Sequence, residues 1–477
     1  MKVLLINPPW VTKTGYGLRS NTRWPHIRKD KYLQFPIYLA YAAAVLEQHN
    51  IKVKVIDAVA EEYDQQKFLE RVRAEKPYAC FLETSTPTIV QDLENSRLIK
   101  ENTDSTVFLF GPHVTTFHEK IMSENSFIDG IIRKEFEYTI RDIALGKDFH
   151  QIAGLTLRDR NDPRRIYVNQ DRPFIEGLDQ LPFPAWHQFN LKNYQSHLYK
   201  SPSIMMITSR GCPFHCTYCL WPDVMYGHKQ RYRSAQNIAD EMGLLLGRYK
   251  IKEIRFDDDT FALNKHHVMS LCEEILSRGY NKKVKWCCFG HISQSDKHLY
   301  KKMAEAGCFR IDFGIESGSP KILHLIRKGI DIKKAKETIK ICRSIGLEVY
   351  CDFMIAFPHE TQEDIEASIQ TAIDLDPDYI QISYTIPYPG TTMYQEGFSQ
   401  GYLLYPTEWE KYASCEPIVY TGELEPEKLD KLYYHFWKSF YLRPHYVYRT
   451  VKRTLMSPAT LRKTVRGGLS FYRRFLS

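Results

Sequence analysis

The sequence lacks any long uninterrupted apolar run. Its longest, FPIYLAYAAAVL at 35–46, is too short to span a bilayer. The apolar start, MKVLLINPPW, ends at an asparagine and two prolines, too early for the hydrophobic region of a signal peptide. The 11 cysteines form no spaced framework, and most lie singly within apolar runs. This usage favours a reducing compartment over a disulfide-rich secreted class, so we expect a cytoplasmic protein without a transmembrane helix.

Acidic residues are absent from the C-terminal end. From Lys431 onward there are eleven Lys and Arg and no Asp or Glu, which leaves 54 basic against 57 acidic residues before it. Aromatic rings are interleaved with these basic side chains, and three interpretations are open. The segment caps the preceding domain with a solvated basic face, or docks peripherally on the inner membrane surface, or binds nucleic acid. The last is the least favoured, and we expect no nucleic-acid partner.

The first part of the chain alternates short apolar strands with helical patterns. The strand candidates lie at 3–7, 52–58, 78–85, 106–114 and 129–133. This alternation predicts an α/β domain with a doubly wound, Rossmann- or flavodoxin-like parallel sheet covered on both faces. Ligands in such folds bind beyond the carboxyl ends of the strands. The segments at those ends are NPPW, ETSTPT and FGPHVTT.

The alternation stops at about residue 150, where the chain becomes charged and proline-containing, and it resumes near residue 203. Six further strand candidates between 204 and 385 predict a partial (βα)6 barrel related to the eight-fold TIM barrel, with function at the strand carboxyl ends. A chain of 477 residues has room for two or three domains. We therefore expect a doubly wound domain at 1–150, a ribbon and linker at 151–200, the partial barrel at 201–395 and a mostly helical, basic extension at 396–477.

Three cysteines stand in one loop directly after the first barrel strand. GCPFHCTYCLWP, residues 211–222, has the spacing Cys212-x3-Cys216-x2-Cys219, with no fourth cysteine close by. The thiols are incidental, or they bind zinc with a fourth ligand from a nearby histidine or a distant cysteine, or they hold an iron–sulfur cluster. Three thiolates on a four-iron cube would leave one iron free to chelate a substrate.

The cysteine spacing, with aromatic Tyr218 before the last cysteine, resembles the signature of the radical SAM enzymes. The resemblance implies a 4Fe-4S cluster on Cys212, Cys216 and Cys219, and S-adenosylmethionine (SAM) on the free iron. It further implies cleavage of SAM to a 5′-deoxyadenosyl radical, with the electron supplied by an external flavodoxin- or ferredoxin-type donor.

The resemblance also implies SAM contacts at the ends of later strands, in the motifs RFDDDTF, DFGIESGS and DFMIAFPHET. The residues it indicates for SAM are Tyr218, Asp258, Asp259, Glu316, Ser317 and Ile355. Ala356 and His359 stand where relatives often carry glycine. From the residues alone, a solvated acidic turn at 257–259 and a helix-capping turn at 316–319 are open alternatives.

A doubly wound domain before such a barrel resembles the cobalamin-binding radical SAM subfamily, including hopanoid-pathway and anaerobic magnesium-protoporphyrin ester cyclase-like members. ETSTPTI and FGPHVTT match its cobalamin loops, which implies contacts from Thr84, Ser85, Thr86, Gly111 and Pro112. The Asp-x-His-x-x-Gly motif with the cobalt-binding histidine is absent, and VIDAVAEEY lies in that region. Cobalamin without that ligand, another nucleotide, and no ligand at all are therefore open. No Gly-x-Gly-x-x-Gly follows the first strand, which argues against NAD.

The resemblance implies an enzyme that C-methylates an unactivated carbon of a lipid-like or natural-product small molecule, with cobalamin delivering the methyl group. Radical-driven cyclisation or rearrangement without methyl transfer is the alternative within the enzymes. A non-enzymatic zinc-binding scaffold is a distant alternative from another class of protein.

Overall fold

The protein is described here by a computed structural model that covers residues 2–10, 12, 15–20, 25–28, 32–159, 162–194, 202–292 and 296–455. Within these ranges the chain forms a seven-stranded sheet, then a six-stranded sheet, and two small hairpins. Helices pack on the two sheets and follow the second one.

The N-terminal sheet is mainly parallel. Its strands are β1 Lys2–Asn7, β4 Lys52–Asp57, β5 Ala79–Glu83, β6 Thr106–Phe110, β7 Gly130–Ile132, β8 Leu155–Arg158 and β9 Ile166–Val168. Between β1 and β4 the chain forms a separate hairpin of β2 Tyr16–Leu18 and β3 His26–Arg28. The order is β4-β1-β5-β6-β7-β8-β9, parallel as far as β7 and antiparallel beyond it. The five strands expected from apolar runs are confirmed. The residues expected to form a ribbon are β8 and β9, which extend this sheet.

Helices cover both faces of the N-terminal sheet. They are α1 Ile37–Gln48, α2 Gln65–Glu75, α3 Ile89–Asn102, α4 Pro112–Thr116, α5 His118–Glu124 and α6 Glu137–Ala144. Val3 and Leu5 of β1 belong to the apolar core that contains α1, whereas Leu4 and Ile6 belong to a second core that contains residues of α2. Burial of both faces explains why the strands read as continuous apolar runs, and it confirms the doubly wound class.

The second sheet is a parallel half barrel. Its elements are β10 Ser203–Met206, β11 Ser209–Arg210, β12 Arg231–Tyr232, α7 Ala235–Arg248, β13 Glu253–Phe256, α8 Lys265–Ser277, β14 Lys285–Gly290, α9 Lys297–Glu305, β15 Cys308–Glu316, α10 Pro320–Leu325, α11 Ile332–Ile345, β16 Glu348–Ile355, α12 Gln362–Leu375 and β17 Tyr379–Tyr384. The sheet order β10-β13-β14-β15-β16-β17 confirms the partial barrel. The β11-β12 hairpin was not predicted, because two-residue strands leave no periodic pattern.

Side chains that cap the helices explain several of their boundaries. Ser234, Asp331 and Thr361 each accept a hydrogen bond from a backbone N–H in the first turn of α7, α11 and α12, respectively. Such caps satisfy N–H groups that have no partner inside the helix. Gly346 ends α11 with a φ of 88°, a backbone conformation that glycine adopts without steric cost.

The two faces of the barrel strands differ in chemistry. On β15, Ile311, Phe313 and Ile315 are buried against the helices. The alternate side chains face the lumen, where Arg310 lies 5.5 Å from the ring centroid of Tyr350. The charged and amide side chains on this lumen face include Arg255, Asp257, Arg310, Asp312, Asp352 and Gln381. Asp257, Arg310 and Asp312 are buried and the other three are partly buried, so the lumen face is polar where the opposite face of the sheet is apolar.

The chain after the barrel is mostly helical, with α13 Thr392–Gln400, α14 Pro426–Tyr441 and α15 Pro444–Leu455. Three of its arginines bind the barrel. Arg443 and Arg449 contact Asp376 at 2.9 and 2.6 Å, and Arg453 contacts Asp378 at 3.2 Å. The described part of the basic extension is therefore a cap, the first of the three interpretations. Residues 456–477 lie outside the described part, within which no helix is long and apolar enough to cross a membrane.

We predict that Asp376→Asn destabilises the protein. The Asp376 carboxylate accepts from Arg343, Arg443 and Arg449 at 2.6–3.1 Å, and the neutral amide would leave three guanidinium groups without their counter-charge. The expected loss in the free energy of unfolding is about 1–3 kcal/mol, measured by urea denaturation. Asp374→Asn, at an exposed position in the last turn of α12 just before Asp376, is the control. Equal stability of the two variants would contradict the role assigned to this cluster.

Candidate active site between the two sheets

The three cysteines lie at the carboxyl edge of the half barrel. Cys212 is buried, and Cys216 and Cys219 are half-buried. The Sγ of Cys212 lies 3.6 Å from the hydroxyl of Thr260, just beyond β13, and the Sγ of Cys216 lies 4.0 Å from the carbonyl oxygen of Arg327, beyond α10. The loop is thus placed against the ends of other barrel units, as the sequence predicts.

Two of the three thiols hold their protons more tightly than an exposed cysteine does. Burial raises the pKa of Cys212 and Cys216, and the Asp259 carboxylate raises the pKa of Cys212 further. The thiols therefore keep their protons at neutral pH until a metal displaces them. In the described residues no group of three or more His, Cys, Asp or Glu surrounds a single ion. A cluster that takes one thiolate on each of several irons does not need such convergence on one point.

Asp258 and Asp259, in the acidic turn after β13, have different surroundings. Asp258 is buried and accepts hydrogen bonds from the backbone N–H groups of Thr208 and Ser209 at 2.6 and 2.9 Å. Burial raises its pKa to about 7, against the lowering by these hydrogen bonds. Asp258 therefore braces the end of β10. Asp259 is half-buried and close enough to raise the pKa of Cys212, so of the two it is the one placed toward the cysteine loop.

Glu316 lies beside a residue that the sequence analysis missed. The ammonium group of Lys328 donates to Glu316 at 2.7 Å and to the Tyr218 hydroxyl at 3.3 Å. Burial alone would lower the pKa of Lys328, but Glu316 and Cys216 outweigh it and hold that pKa above its ordinary value. Lys328 lies in the stretch IRKGI, which has no pattern to set it apart from surface lysines.

Ser317 and Ile355 point away from the lumen. The Ser317 hydroxyl lies 3.1 Å from that of Ser368 on α12, and the Ile355 side chain is fully buried in the core outside the sheet. Asp352, three residues before Ile355, is the lumen side chain of this strand end. Burial raises its pKa to about 8, and it has no hydrogen bond or ion pair within the described ranges.

The loop after β16 adopts a conformation that glycine would favour. Ala356 and His359 have φ angles of 65° and 59°, although their Cβ atoms make this region costly. The loop closes on Glu360, whose carboxylate is fully buried and accepts from the Phe357 N–H at 3.1 Å. The backbone conformation that glycine favours is therefore adopted here by two residues that carry a Cβ.

The two loops predicted to contact cobalamin lie side by side at the carboxyl edge of the N-terminal sheet. Thr84 donates its hydroxyl proton to the Phe110 carbonyl at 2.9 Å. The Ser85 hydroxyl lies 2.8 Å from that of Thr88, and the Thr86 hydroxyl lies 3.3 Å from Nδ1 of His113. The three hydroxyls thus make contacts within the domain, and each keeps acceptor capacity for a further hydrogen bond.

Gly111 and Pro112 shape the second of these loops. Gly111 has a φ of 123°, and a Cβ there would lie 2.3 Å from the Thr84 carbonyl oxygen. The glycine therefore lets the two loops approach each other. Pro112 begins α4, and His113 behind it is buried against Phe117 and Trp409. Burial lowers the pKa of His113 to about 3, so this histidine is neutral.

A small, partly open cavity lies between the two parts of the candidate site. Thr84, Ser85, Thr86 and Pro112 line it from the N-terminal domain, and the facing wall contains Leu220 and Trp221, directly after the third cysteine. The remaining lining residues are Arg19, Pro25, Glu83 and Tyr388. The predicted cobalamin loops and the cysteine loop therefore share one cavity, which the separate motifs could not indicate.

Comparisons with known proteins agree with both halves of this site. The family model "Radical SAM superfamily" matches residues 206–372, and "B12 binding domain" matches residues 25–144. An uncharacterized methyltransferase of Pyrococcus horikoshii is 32% identical, over 93% of each chain. The anaerobic magnesium-protoporphyrin IX monomethyl ester cyclase of Cereibacter sphaeroides is 25% identical, over 94% of this chain and 72% of its own.

Among solved structures, the fold is similar to that of the cobalamin-dependent S-adenosylmethionine radical enzyme OxsB with aqua-cobalamin and S-adenosylmethionine bound. The TM-score is 0.71 at 15% identity, over 99% of this chain and 75% of that one. This likeness supports the arrangement of a doubly wound domain followed by a half barrel.

Glu360 predicts a pH dependence of stability. Burial raises its pKa to about 8, whereas the carboxyl group of an unfolded chain has a pKa of about 4.3. Between these values the folded state keeps a proton that the unfolded state has lost, so stability falls as pH rises, by about 1.4 kcal/mol per pH unit for one proton.

We therefore expect the free energy of unfolding of Glu360→Gln to fall less steeply with rising pH than that of the parent. Urea denaturation of the cofactor-free protein between pH 5 and pH 8 measures it, with Glu363→Gln, at an exposed position in the next helix, as the control. Parallel curves for Glu360→Gln and the parent would show that Glu360 does not titrate in this range.

Proposed function

The chain belongs to the radical SAM superfamily, in the group that also carries a B12-binding domain, and from this premise we propose that it C-methylates an unactivated carbon of a small-molecule substrate. The observation that carries the proposal is the shared cavity, lined by the predicted cobalamin loops and by residues next to the third cysteine. The methyltransferase relative, similar over nearly the whole chain, supports methyl transfer.

The residues present fit the three cofactors of the family. Cys212, Cys216 and Cys219 would hold the 4Fe-4S cluster, since all are free and lie in one loop at the barrel edge. The loops at 83–86 and 111–112 would contact cobalamin. When bound, the cluster and SAM supply hydrogen abstraction by a carbon radical, and cobalamin supplies a carrier for the methyl group.

We assign the amino-acid end of SAM to charged residues beside the cysteine loop. Lys328 can donate to a carboxylate, and Glu316 and Asp352 can accept from an ammonium or hydroxyl group. The supporting contacts are those of Lys328 with Glu316 and Tyr218. Asp259 is retained as a candidate acceptor, whereas the hydrogen bonds of Asp258 favour a positioning role.

The lumen chemistry favours a substrate with polar groups. Arg255, Arg310 and Asp312 lie on the lumen face of the barrel, where Arg310 pairs with Asp312 at 2.7 Å and Arg255 with Asp257 at 3.3 Å. A wall made of such ion pairs is a more favourable surrounding for polar groups than for an entirely apolar substrate. Of the two expected classes, a natural-product intermediate that carries charged or hydrogen-bonding groups therefore suits the site better than a simple lipid.

Radical-driven cyclisation without methyl transfer is the second candidate, favoured by the likeness to the ester cyclase relative. An external flavodoxin- or ferredoxin-type protein remains our expectation for the electron donor. Peripheral contact with the inner membrane surface is an expectation that concerns residues 456–477.

We predict that Cys216→Ala loses cluster iron and SAM cleavage, because a thiolate ligand cannot be replaced by a methyl group. Iron and sulfide content after anaerobic reconstitution, and release of 5′-deoxyadenosine, measure these effects. Cys415→Ala, at an exposed cysteine outside the loop, is expected to behave like the parent.

SAM with a deuterated methyl group then separates the two candidate reactions. Methyl transfer places the label in the product and accumulates S-adenosylhomocysteine, whereas cyclisation does neither.

For the cysteine variant, full iron content and SAM cleavage in Cys216→Ala would contradict the cofactor assignment.

A further inference from the structure

The cysteine loop is closed at its base by the β11-β12 hairpin. Arg210 pairs with Arg231 and Ser209 with Tyr232, so the two arginines bracket residues 211–230, which contain all three cysteines of the loop. Two guanidinium groups side by side at a loop base would repel each other. Their counter-charges come from the other domain.

Glu135 and Glu137 supply these counter-charges. Nη2 of Arg210 donates to Glu137 at 2.6 Å, and Nη1 of Arg210 lies 3.3 Å from Glu135. Nη1 of Arg231 lies 2.9 Å from the same oxygen of Glu135. All four side chains are at most 3% exposed. Two positive and two negative charges therefore form a buried, neutral group between the domains.

Further contacts hold each member of this group in one orientation. The guanidinium carbon of Arg210 lies 5.1–5.7 Å from the ring centroids of Tyr38, Tyr41 and Tyr226. Arg231 also donates to the carbonyl oxygens of Ile175 and Tyr226 at 2.7 and 2.8 Å. A buried ion pair is by itself weak evidence for stability, and its best-attested use is to specify one arrangement.

The path from this group to the metal ligands is short and stiff. Arg210 is followed by Gly211, where a Cβ would lie 2.5 Å from the Lys229 carbonyl oxygen. The next N–H, of Cys212, donates to the Gly227 carbonyl at 3.2 Å. On the other side, Glu135 and Glu137 lie between β7 and the first turn of α6, beside the loop of Gly111 and Pro112.

We propose that Glu135 and Glu137 are positioning residues that act through Arg210 and Arg231 to hold the cysteine loop in register with the B12-binding domain. The inference rests on the proposed function, because it concerns how the two cofactor sites are aligned. It also concerns the loop itself, which allows a test that needs no cofactor.

The first experiment is amide hydrogen exchange on the full-length, cofactor-free chain. Glu137→Gln keeps the shape of the side chain and removes its charge, and we expect several-fold faster exchange across residues 211–230. Asp376→Asn is the matched control, since it removes a carboxylate from an arginine cluster at the opposite end of the barrel. The control is expected to leave exchange in 211–230 unchanged, except at amides that exchange only through global unfolding. Glu137→Gln exchanging like this control across 211–230 would overturn the proposal.

The second experiment uses the protein loaded with cluster, SAM and cobalamin. We expect the electron paramagnetic resonance spectrum of the reduced cluster in Glu137→Gln to differ from that of the parent in line width or g values. A spectrum identical to that of the parent, with only a lower thermal midpoint, would show that the ion pairs are merely structural and would overturn the positioning role.

Two outcomes need separate treatment: a variant that does not fold, and a parent protein that takes up no cluster. If Glu137→Gln does not fold, Glu137→Asp decides in its place, because it keeps the charge on a side chain one methylene shorter. An altered spectrum and faster exchange support the proposal, and parent-like values overturn it. If the parent itself takes up no cluster, the proposed function fails, and hydrogen exchange in 211–230 still decides whether the glutamates position the loop.

Discussion

The carboxyl edges of two parallel sheets face each other across the cysteine loop, and the rest of the site depends on this juxtaposition. Buried ion pairs of Arg210 and Arg231 with Glu135 and Glu137 connect the two edges. Each sheet places its ligand-binding loops at the ends of its strands, so facing the edges brings the predicted cobalamin loops and the cysteines to one cavity. Neither domain alone would form that cavity.

The fold explains where the charged residues of the C-terminal extension and of the barrel lumen lie. The basic residues after Lys431 suggest a membrane or nucleic-acid surface when they are read as a run, but Arg443 and Arg449 bind Asp376 beneath the barrel. Inside the barrel, arginines and carboxylates occupy the lumen face of strands whose other face is apolar. These groups are compensated by one another, since Arg310 pairs with Asp312 at 2.7 Å and Arg255 with Asp257 at 3.3 Å, as buried charges require.

Local patterns predicted the fold well, because strands buried on both faces are continuous apolar runs and the cysteine spacing lies within one loop. What could not be predicted is non-local. Lys328 reaches Glu316 and Tyr218 only because the loop after α10 folds back onto the cysteine loop. Asp258 is a candidate SAM contact in sequence, and no pattern indicates that its oxygens also accept from the backbone just beyond β10. Such partners are chosen by tertiary packing, which no spacing in the chain encodes.

The central claim is that both cofactor sites meet at one interface, and their magnetic interaction tests it most directly. In protein loaded with cluster and cob(II)alamin, the electron paramagnetic resonance signal of cobalt is compared with the cluster oxidised and reduced. The account predicts that reduction of the cluster splits the cobalt signal or shortens its relaxation. A cobalt signal that is unchanged by the state of the cluster, at full occupancy of both, would contradict it.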